Sequence, residues 1–308
     1  RLAEDPALCR VLADHGAHVI LSFATFRPDT SVLMHGRDLV ETKLKAIDNL
    51  TAAGTSLTLL YVLAPGVNED AIPGLFDLMR RNDRILSLTV QTLTHTGQGG
   101  SQWPPSPGAL PSRRHLPVDE AARILAQGSG GWLAFEDFLP RPGAHPLCYL
   151  TSHLRKVGDG FLPFTRFATR EEIQALQRDS YLIRLEQGEE FFREAINKLY
   201  ARGATQLLPQ FRRLLETLYP RDRAVDVFER QRLAESAVRT IYLHSHMDED
   251  NFDCTRAMLC PDQVPIAPGV LVPACSYNLF YRQRDARFYP AAGETGGAAA
   301  GETEGLPV

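Results

Sequence analysis

Two periods of apolar residues alternate along the first third of the chain. In DPALCRVLADHG, Asp5 stands at an N-cap position, Pro6 at the first helical position and Gly16 just past the end, the asymmetry expected of a short helix. HVILSFATF follows, mostly apolar and β-rich and bounded by Pro28, which predicts a strand buried on both faces of a parallel sheet. GRDLVETKLKAIDNLTAAG returns to the helical period: Asp38 as N-cap, Glu41 three residues on, Val40, Leu44, Ile47 and Leu50 on one face, and Gly54 as terminator. LTLLYVLAPGVN reads as a strand, DAIPGLFDLMRRN as a helix and ILSLTVQTLTH as a strand. Successive helix–strand units require right-handed crossovers and a parallel sheet, either a barrel or a doubly wound fold.

After Thr96 the texture changes. GQGGSQWPPSPGALPSRRHLP is rich in Gly, Pro and Ser and reads as a loop or linker over 98–118, a candidate lid over a site. A short helix over 119–126, the segment WLAFEDFLPRPGAHPLCYL and a helix from Thr169 come next, with Thr169 and Glu172 forming a capping box. Leu176, Leu182, Leu185, Phe191 and Phe192 supply apolar faces, and further helices are expected over 205–218 and 224–243. The resulting organisation is a helix–strand region over 1–97, the linker, a second region over 119–290, and a low-complexity tail over 291–308 expected to be disordered.

Composition narrows the function classes. A chain of 308 residues, 44% hydrophobic, can bury a large core. Its net charge of -4, with basic residues scattered among acidic ones, gives no footprint for nucleic acid. No apolar run approaches the roughly 18 residues of a membrane span, and no charged region leads into an apolar one at the N-terminus, so a cytoplasmic location is expected. Five cysteines in a reducing compartment point to thiols or metal ligands more than to a disulfide framework.

The candidate chemistry is carried by few residues. CTRAMLCPDQVPIAPGVLVPACSYN holds Cys254, Cys260 and Cys275, and Cys148 makes a fourth, the number that fully ligates an iron–sulfur cluster. The spacings C-x5-C and C-x14-C match no ferredoxin or zinc-ribbon pattern, so packing as small apolar residues stands as the alternative. Cys9 reads as core. His244 and His246 alternate ahead of Asp248 and Asp250, which suits either a His/carboxylate metal site or a polar surface turn after a helix. His145 caps a site or holds its loop through a backbone hydrogen bond. Parallel α/β barrels place their sites at the C-terminal strand ends, which singles out Ser22, Asn68 and Gln91 as cofactor contacts and Thr94 and His95 as substrate-side residues. The plainer readings are a core hydroxyl for Ser22 and turn or cap residues for the other two contacts. The sequence shows no P-loop, GxGxxG or Ser-His-Asp order, and GQGG runs into Trp-Pro-Pro rather than a helix, against a phosphate cradle.

Several ordered segments add a resemblance. Gly36-Arg37-Asp38, Lys45-Ala46-Ile47 and Gly66-Val67-Asn68 occur in succession. They are followed by Glu136 to Phe138, Pro140, Pro142, His145-Pro146 and Cys148, then by Asn251-Phe252-Asp253, Arg256, Cys260 and Cys275-Ser276-Tyr277-Asn278. Over residues 1–285 this series resembles the radical S-adenosylmethionine (SAM) enzymes, in the branch of archaeal hydroxymethylpterin methyltransferases and tetraether lipid synthases. The resemblance implies the later units of a partial (β/α)6 TIM-like barrel followed by a mainly helical C-terminal domain. It also implies reductive cleavage of SAM at a [4Fe-4S] cluster and hydrogen abstraction from an unactivated C–H bond. The outcome would be methylation of a pterin-like molecule or carbon–carbon joining of lipid, with an electron donor such as ferredoxin or flavodoxin. Cys148, Cys260 and Cys275 fall on motif positions and are the implied ligands of an auxiliary iron–sulfur cluster; Cys254 does not fall on one. The departure is large: no C-x3-C-x2-C triad and no glycine-rich SAM segment occurs in the 308 residues. The resemblance therefore implies a fragment beginning after the third barrel strand, inactive by itself, with an unpaired sheet edge. The alternative is a non-catalytic α/β scaffold or metal-binding module without SAM chemistry.

Overall fold

In the computed structural model the described residues are 1–96, 115–178, 188–285 and 287. Most of the expected linker, the expected disordered tail, Leu182, Leu185 and the side chains of Phe191 and Phe192 lie outside them.

The early helix–strand alternation folds as its pattern predicts. Helix α1 (Pro6–Asp14) is capped by Asp5, whose carboxylate accepts from the Leu8 N–H at 3.0 Å, and strand β1 covers His18–Ser22. A helix the period analysis does not foresee, α2 (Pro28–His35), opens on its own proline and closes on Gly36 at φ 74°, a left-handed position that favours glycine. Helix α3 (Val40–Ala52) buries Val40, Ala46, Ile47 and Leu50. Asp38 sits just ahead of the cap position, accepting from the Val40 N–H at 3.0 Å. Strand β2 (Ser56–Leu63), helix α4 (Ile72–Arg81) and strand β3 (Ile85–Thr92) follow.

Beyond residue 115 the chain builds helix α5 (Val118–Gly128) and strands β4 (Leu139–Pro140), β5 (Tyr149–Val157) and β6 (Gly160–Pro163). Helices α6 (Arg170–Leu176), α7 (Gly188–Ala201), α8 (Leu208–Leu218) and α9 (Val227–Ala237) come next, and the Thr169–Glu172 capping box forms with both of its hydrogen bonds. The helix expected over 224–243 ends at Ala237. VRTIYLH becomes strand β7 (Val238–His244), because its β-branched and aromatic residues fill a gap between two strands. Helix α10 (Cys254–Met258) and the hairpin β8 (Gln263–Ala267) and β9 (Val270–Pro273) follow, and short helical turns over Ala274–Ser276, Tyr277–Tyr281 and Arg282–Arg284 come after them.

The main sheet runs β1-β2-β3-β7-β5-β4, with β6 also on β5. Its first four strands are mutually parallel, and β5 joins β7 antiparallel. The fold is thus mixed α/β with a parallel-rich sheet, compatible with a TIM-like arrangement, and it takes strands from both sides of the 98–118 stretch.

In-register partners share a face of the sheet. One face carries Leu57, Leu59, Tyr61, Leu63, Leu88, Val90, Ile241, Leu243, Leu150 and Leu154, which pack with side chains of α1, α3, α4 and α5 in the principal core. A second cluster joins β4 and the start of β7 to α6, α7 and α8. The other face is rich in polar groups: Ser22, Thr58, Ser87, Thr89, Gln91, Thr240, His244, Thr151 and His153. The expectation of two-sided burial for β1 therefore fails. His18, Ile20 and Ser22 point outward, Ile20 being 64% exposed, because the helices cover only the opposite face of that strand.

Candidate functional site

At the C-terminal ends of the parallel strands, Val62, Gln91, His244 and Tyr149 form one transverse row. Gln91 is half-buried, and His244 is buried with its ring 4.7 Å from that of Tyr149 and 4.0 Å from that of His246. Burial first, then the charges of His246 and Arg256, hold the His244 imidazole well below its ordinary pKa. His246 is likewise lowered by burial, against the opposing charge of Asp262. Both rings are neutral near pH 7 and available as donors, acceptors or ligands. The surface-turn reading of these histidines is overturned: β7 carries His244 directly to the sheet's rim, and the Asp262 carboxylate stands 3.4 Å from its Nδ1.

The thiols gather beside this row. Cys148 is buried immediately before β5 and accepts from Arg256 Nε at 3.2 Å. Arg256, also buried, donates further to the carbonyls of Ser245 (3.2 Å) and Leu147 (3.5 Å), so one guanidinium ties α10 to the ends of β5 and β7. Cys275 accepts from the Met247 N–H at 3.3 Å and lies 3.6 Å from His246 Nδ1. Burial pushes its thiol up to about 11, and the neighbouring Cys260 and Cys148 thiols add to the rise. Cys260, bonded to the Asp262 carbonyl at 3.2 Å, is raised by burial and also senses Cys148. Cys148, Cys260 and Cys275 are thus mutual neighbours, on segments more than a hundred residues apart. Cys254 is exposed at the first position of α10 and takes no part in the group. Cys9 is fully buried in the principal core.

Thiols and imidazoles are suitable soft donors for iron–sulfur or zinc. Among the described residues, however, no group of three or more His, Cys, Asp or Glu side chains is arranged to hold a metal ion. The expected set of Cys148, Cys254, Cys260 and Cys275 does not form a coordination shell here.

The other expected contacts separate. Ser22 is exposed on the polar face, in the row of Leu60 and Thr89, one row below Gln91. Asn68 faces no open space. Its Oδ1 accepts from the Ala64 N–H (2.9 Å), its Nδ2 donates to the carbonyls of Ala24 (2.9 Å) and Val62 (2.8 Å), and its own carbonyl accepts from the Tyr61 hydroxyl (2.6 Å). Every polar group of its side chain is spent on bracing the loops after β1 and β2, so Asn68 shapes the rim and makes no outward contact. His145 holds its loop, its Nδ1 accepting from the Leu147 N–H at 3.2 Å. Thr94 and His95 lie half-buried just beyond β3.

Sequence reasoning missed Arg256 and the grouping around Ser245. Arg256 was legible only as a motif position, since nothing in α10 alone marks it as buried. Ser245 lies 3.4 Å from His115 Nε2, while His115 Nδ1 lies 3.8 Å from Asp248. The latter distance is too long for a hydrogen bond, and Ser245 is buried and accepts from Thr92 at 3.2 Å. This is a packed polar cluster, not an exposed nucleophile.

A mixed α/β protein with a parallel-rich sheet, whose C-terminal strand ends gather thiols, imidazoles and an amide, is the class that fold and site define. No family model matches the chain. It is similar to the 7,8-dihydro-6-hydroxymethylpterin dimethyltransferase of Methanocaldococcus jannaschii, 23% identical over 292 residues, a match covering 86% of this chain and 56% of that relative. The chain therefore spans little more than half the length of the curated relative it matches.

Proposed function

We propose that this chain is the substrate-side part of a radical SAM methyltransferase acting on a small, polar, pterin-like heterocycle. The observation that carries the reading is the row Gln91–His244–Tyr149, at the strand ends where parallel α/β barrels hold their substrates, with Cys148, Cys260 and Cys275 beside it. The similarity to a pterin methyltransferase supports the chemistry. A half-buried amide beside imidazole and phenol rings 4.7 Å apart and tilted by 41° suits a flat, hydrogen-bonding heterocycle better than a lipid chain, which would require a long apolar tunnel. The non-catalytic scaffold reading is not favoured.

The division of labour follows from the residues. A SAM-cleaving cluster, when present, would supply the radical that removes hydrogen from carbon. The Cys triad that holds such a cluster is absent from these 308 residues, so the proposal places that step on residues other than these. In this reading Gln91 orients the heterocycle through its amide, the neutral His244 and His246 pack against it and accept hydrogen bonds, and Ser22 contacts SAM from the first strand.

Binding of a 6-hydroxymethyl dihydropterin to the 308-residue chain, followed by pterin fluorescence, tests the proposal. Saturable binding weakened about tenfold by Gln91→Ala and by His244→Ala is expected, the loss of one or two buried polar contacts each. Absence of saturable binding, or binding indifferent to both substitutions, overturns it. Iron and sulfide content after anaerobic reconstitution separates two uses of the thiols. Stoichiometric iron that is lost in Cys260→Ala and Cys275→Ala assigns them to a cluster; no iron leaves them as packed thiols.

A further inference from the structure

Four lysines occur in the 308 residues, and their surroundings differ. Lys156 is ion-paired with Asp83 at 2.6 Å, and Lys198 with Glu172 and, at 3.8 Å, with Glu194. Lys45 is exposed. Lys43, half-buried on the first turn of α3, meets an imidazole where Lys156 and Lys198 meet carboxylates: its Nζ donates to His35 Nε2 at 3.0 Å, and among the described residues it makes no ion pair.

The junction of α2 with α3 fixes this pair. His35 is the last residue of α2, and Gly36 turns the chain after it at φ 74°. Ser31, 2% exposed, accepts from the Leu39 N–H at 3.0 Å and donates to the Arg37 carbonyl at 3.2 Å, so the turn is closed by bonds that involve neither Lys43 nor His35. An ammonium group in such a place is weakly compensated, because burial removes water and a neutral imidazole offers a lone pair without a charge. Burial holds Lys43 below its ordinary pKa, and burial first, then the Lys43 charge, holds His35 below its own. An amine so placed has a larger nucleophilic, unprotonated share at neutral pH, and an unprotonated imidazole in hydrogen-bond contact can take up the proton it releases.

We propose that Lys43 is the chain's preferred site of N-acylation by an activated acyl group, with His35 as the proton acceptor. The Nζ lone pair forms the new bond to the acyl carbon. The acyl–oxygen bond of an acyl phosphate, or the acyl–sulfur bond of a thioester, breaks, and its electron pair leaves with the phosphate or the thiolate. The proton released by the nitrogen passes to His35 Nε2, and nothing is oxidised or reduced. The pair sits on the α2–α3 junction rather than in the strand-end row and does not rest on the methyltransferase reading.

Incubation of the 308-residue chain with acetyl phosphate in one arm and acetyl coenzyme A in the other, with acetyl-lysine quantified at each of the four positions by mass spectrometry, tests the assignment. Acetylation of Lys43 about tenfold faster than of Lys45 is expected. His35→Gln, which keeps a hydrogen-bond acceptor but takes up no proton, should remove that advantage and leave the Lys45 rate unchanged. Lys45, on the same helix, is the internal reference for a folded α3, and the comparison within the parent chain stands whether or not the variant folds. A preference for Lys43 in one arm alone supports the site and assigns the acyl phosphate or the thioester as donor; a preference in both supports it and assigns the acyl group itself. Lys43 modified no faster than Lys45 in both arms, or an undiminished Lys43 rate in folded His35→Gln, overturns the proposal.

Discussion

The helix-covered face of the sheet and the thiol-bearing segment after β7 are held together by opposite means. The first is a continuous apolar cluster contributed by four helices and by strands on both sides of the 98–118 stretch. The second has a core of Met247, Ala257 and Cys275 with Phe252 against it, and is otherwise tied by hydrogen bonds that Arg256 and the Met247 N–H donate and that the Asp253 carboxylate accepts from the Thr255 and Arg256 N–H groups. Apolar burial is non-directional and gives robust stability, whereas hydrogen bonds to thiols and carbonyls fix positions while adding little net free energy. The protein thus keeps its stability under one face of the sheet and its directional chemistry at the strand ends.

Substitutions can break that contrast. Phe76→Ala, at a 1% exposed position edge-on to Trp132, should cost about 3–5 kcal/mol in denaturant unfolding, while Phe252→Ala should cost less than about half as much. Equal costs would mean that the two regions are stabilised alike. Asn68→Ala removes three buried side-chain hydrogen bonds and leaves two carbonyls and an N–H unpaired; a loss of about 2–4 kcal/mol is expected from the same measurement.

The polar face sharpens the contrast through pH. His153 is buried between Thr240 and Gln177, and burial first, then the charge of Arg141, lowers its pKa to about 4. Its folded pKa lies below the unfolded value near 6.5, so folded chains refuse a proton that unfolded chains accept. The stability present above that unfolded value is therefore lost as pH falls toward 4, by about 2 kcal/mol at pH 5 for this one group. Urea midpoints across pH 7.5 to 5 should decline accordingly, and His153→Gln should flatten the slope. His244, shifted in the same direction, adds to the decline.

Arg256→Gln is expected to cost about 1–3 kcal/mol of global stability, because the region it braces has little core. Its local signature is larger: Cys148, which has lost its donor, should be alkylated by iodoacetamide several-fold faster than in the parent chain. An unchanged rate would show that Arg256 does not hold the thiol end together.

Legibility along the chain followed the range of the forces involved. Helix α1 with Asp5, helix α3 with its apolar face, α4 and the Thr169 capping box are set by contacts within four residues, and all were readable. The run 238–243 misread as helix because its apolar residues carry no decisive period; membership of β7 was settled by pairing with β3 and β5. Ser22, Asn68 and Gln91 looked equivalent as polar residues near strand ends. Burial separates them, placing Asn68 inside a loop brace and Ser22 in the open.

By itself the sequence determined the helix–strand alternation, the parallel character of the first strands and the identity of the residues able to do chemistry, because periodicity, caps and side-chain type are local properties. Only the tertiary structure decided which of those residues meet. Cys148 joins Cys260 and Cys275 through the antiparallel pairing of β5 with β7, Cys254 is left at the surface, and Lys156 and Arg239 come to share Asp83. Such meetings depend on strand order and register across more than a hundred residues, which no local pattern encodes.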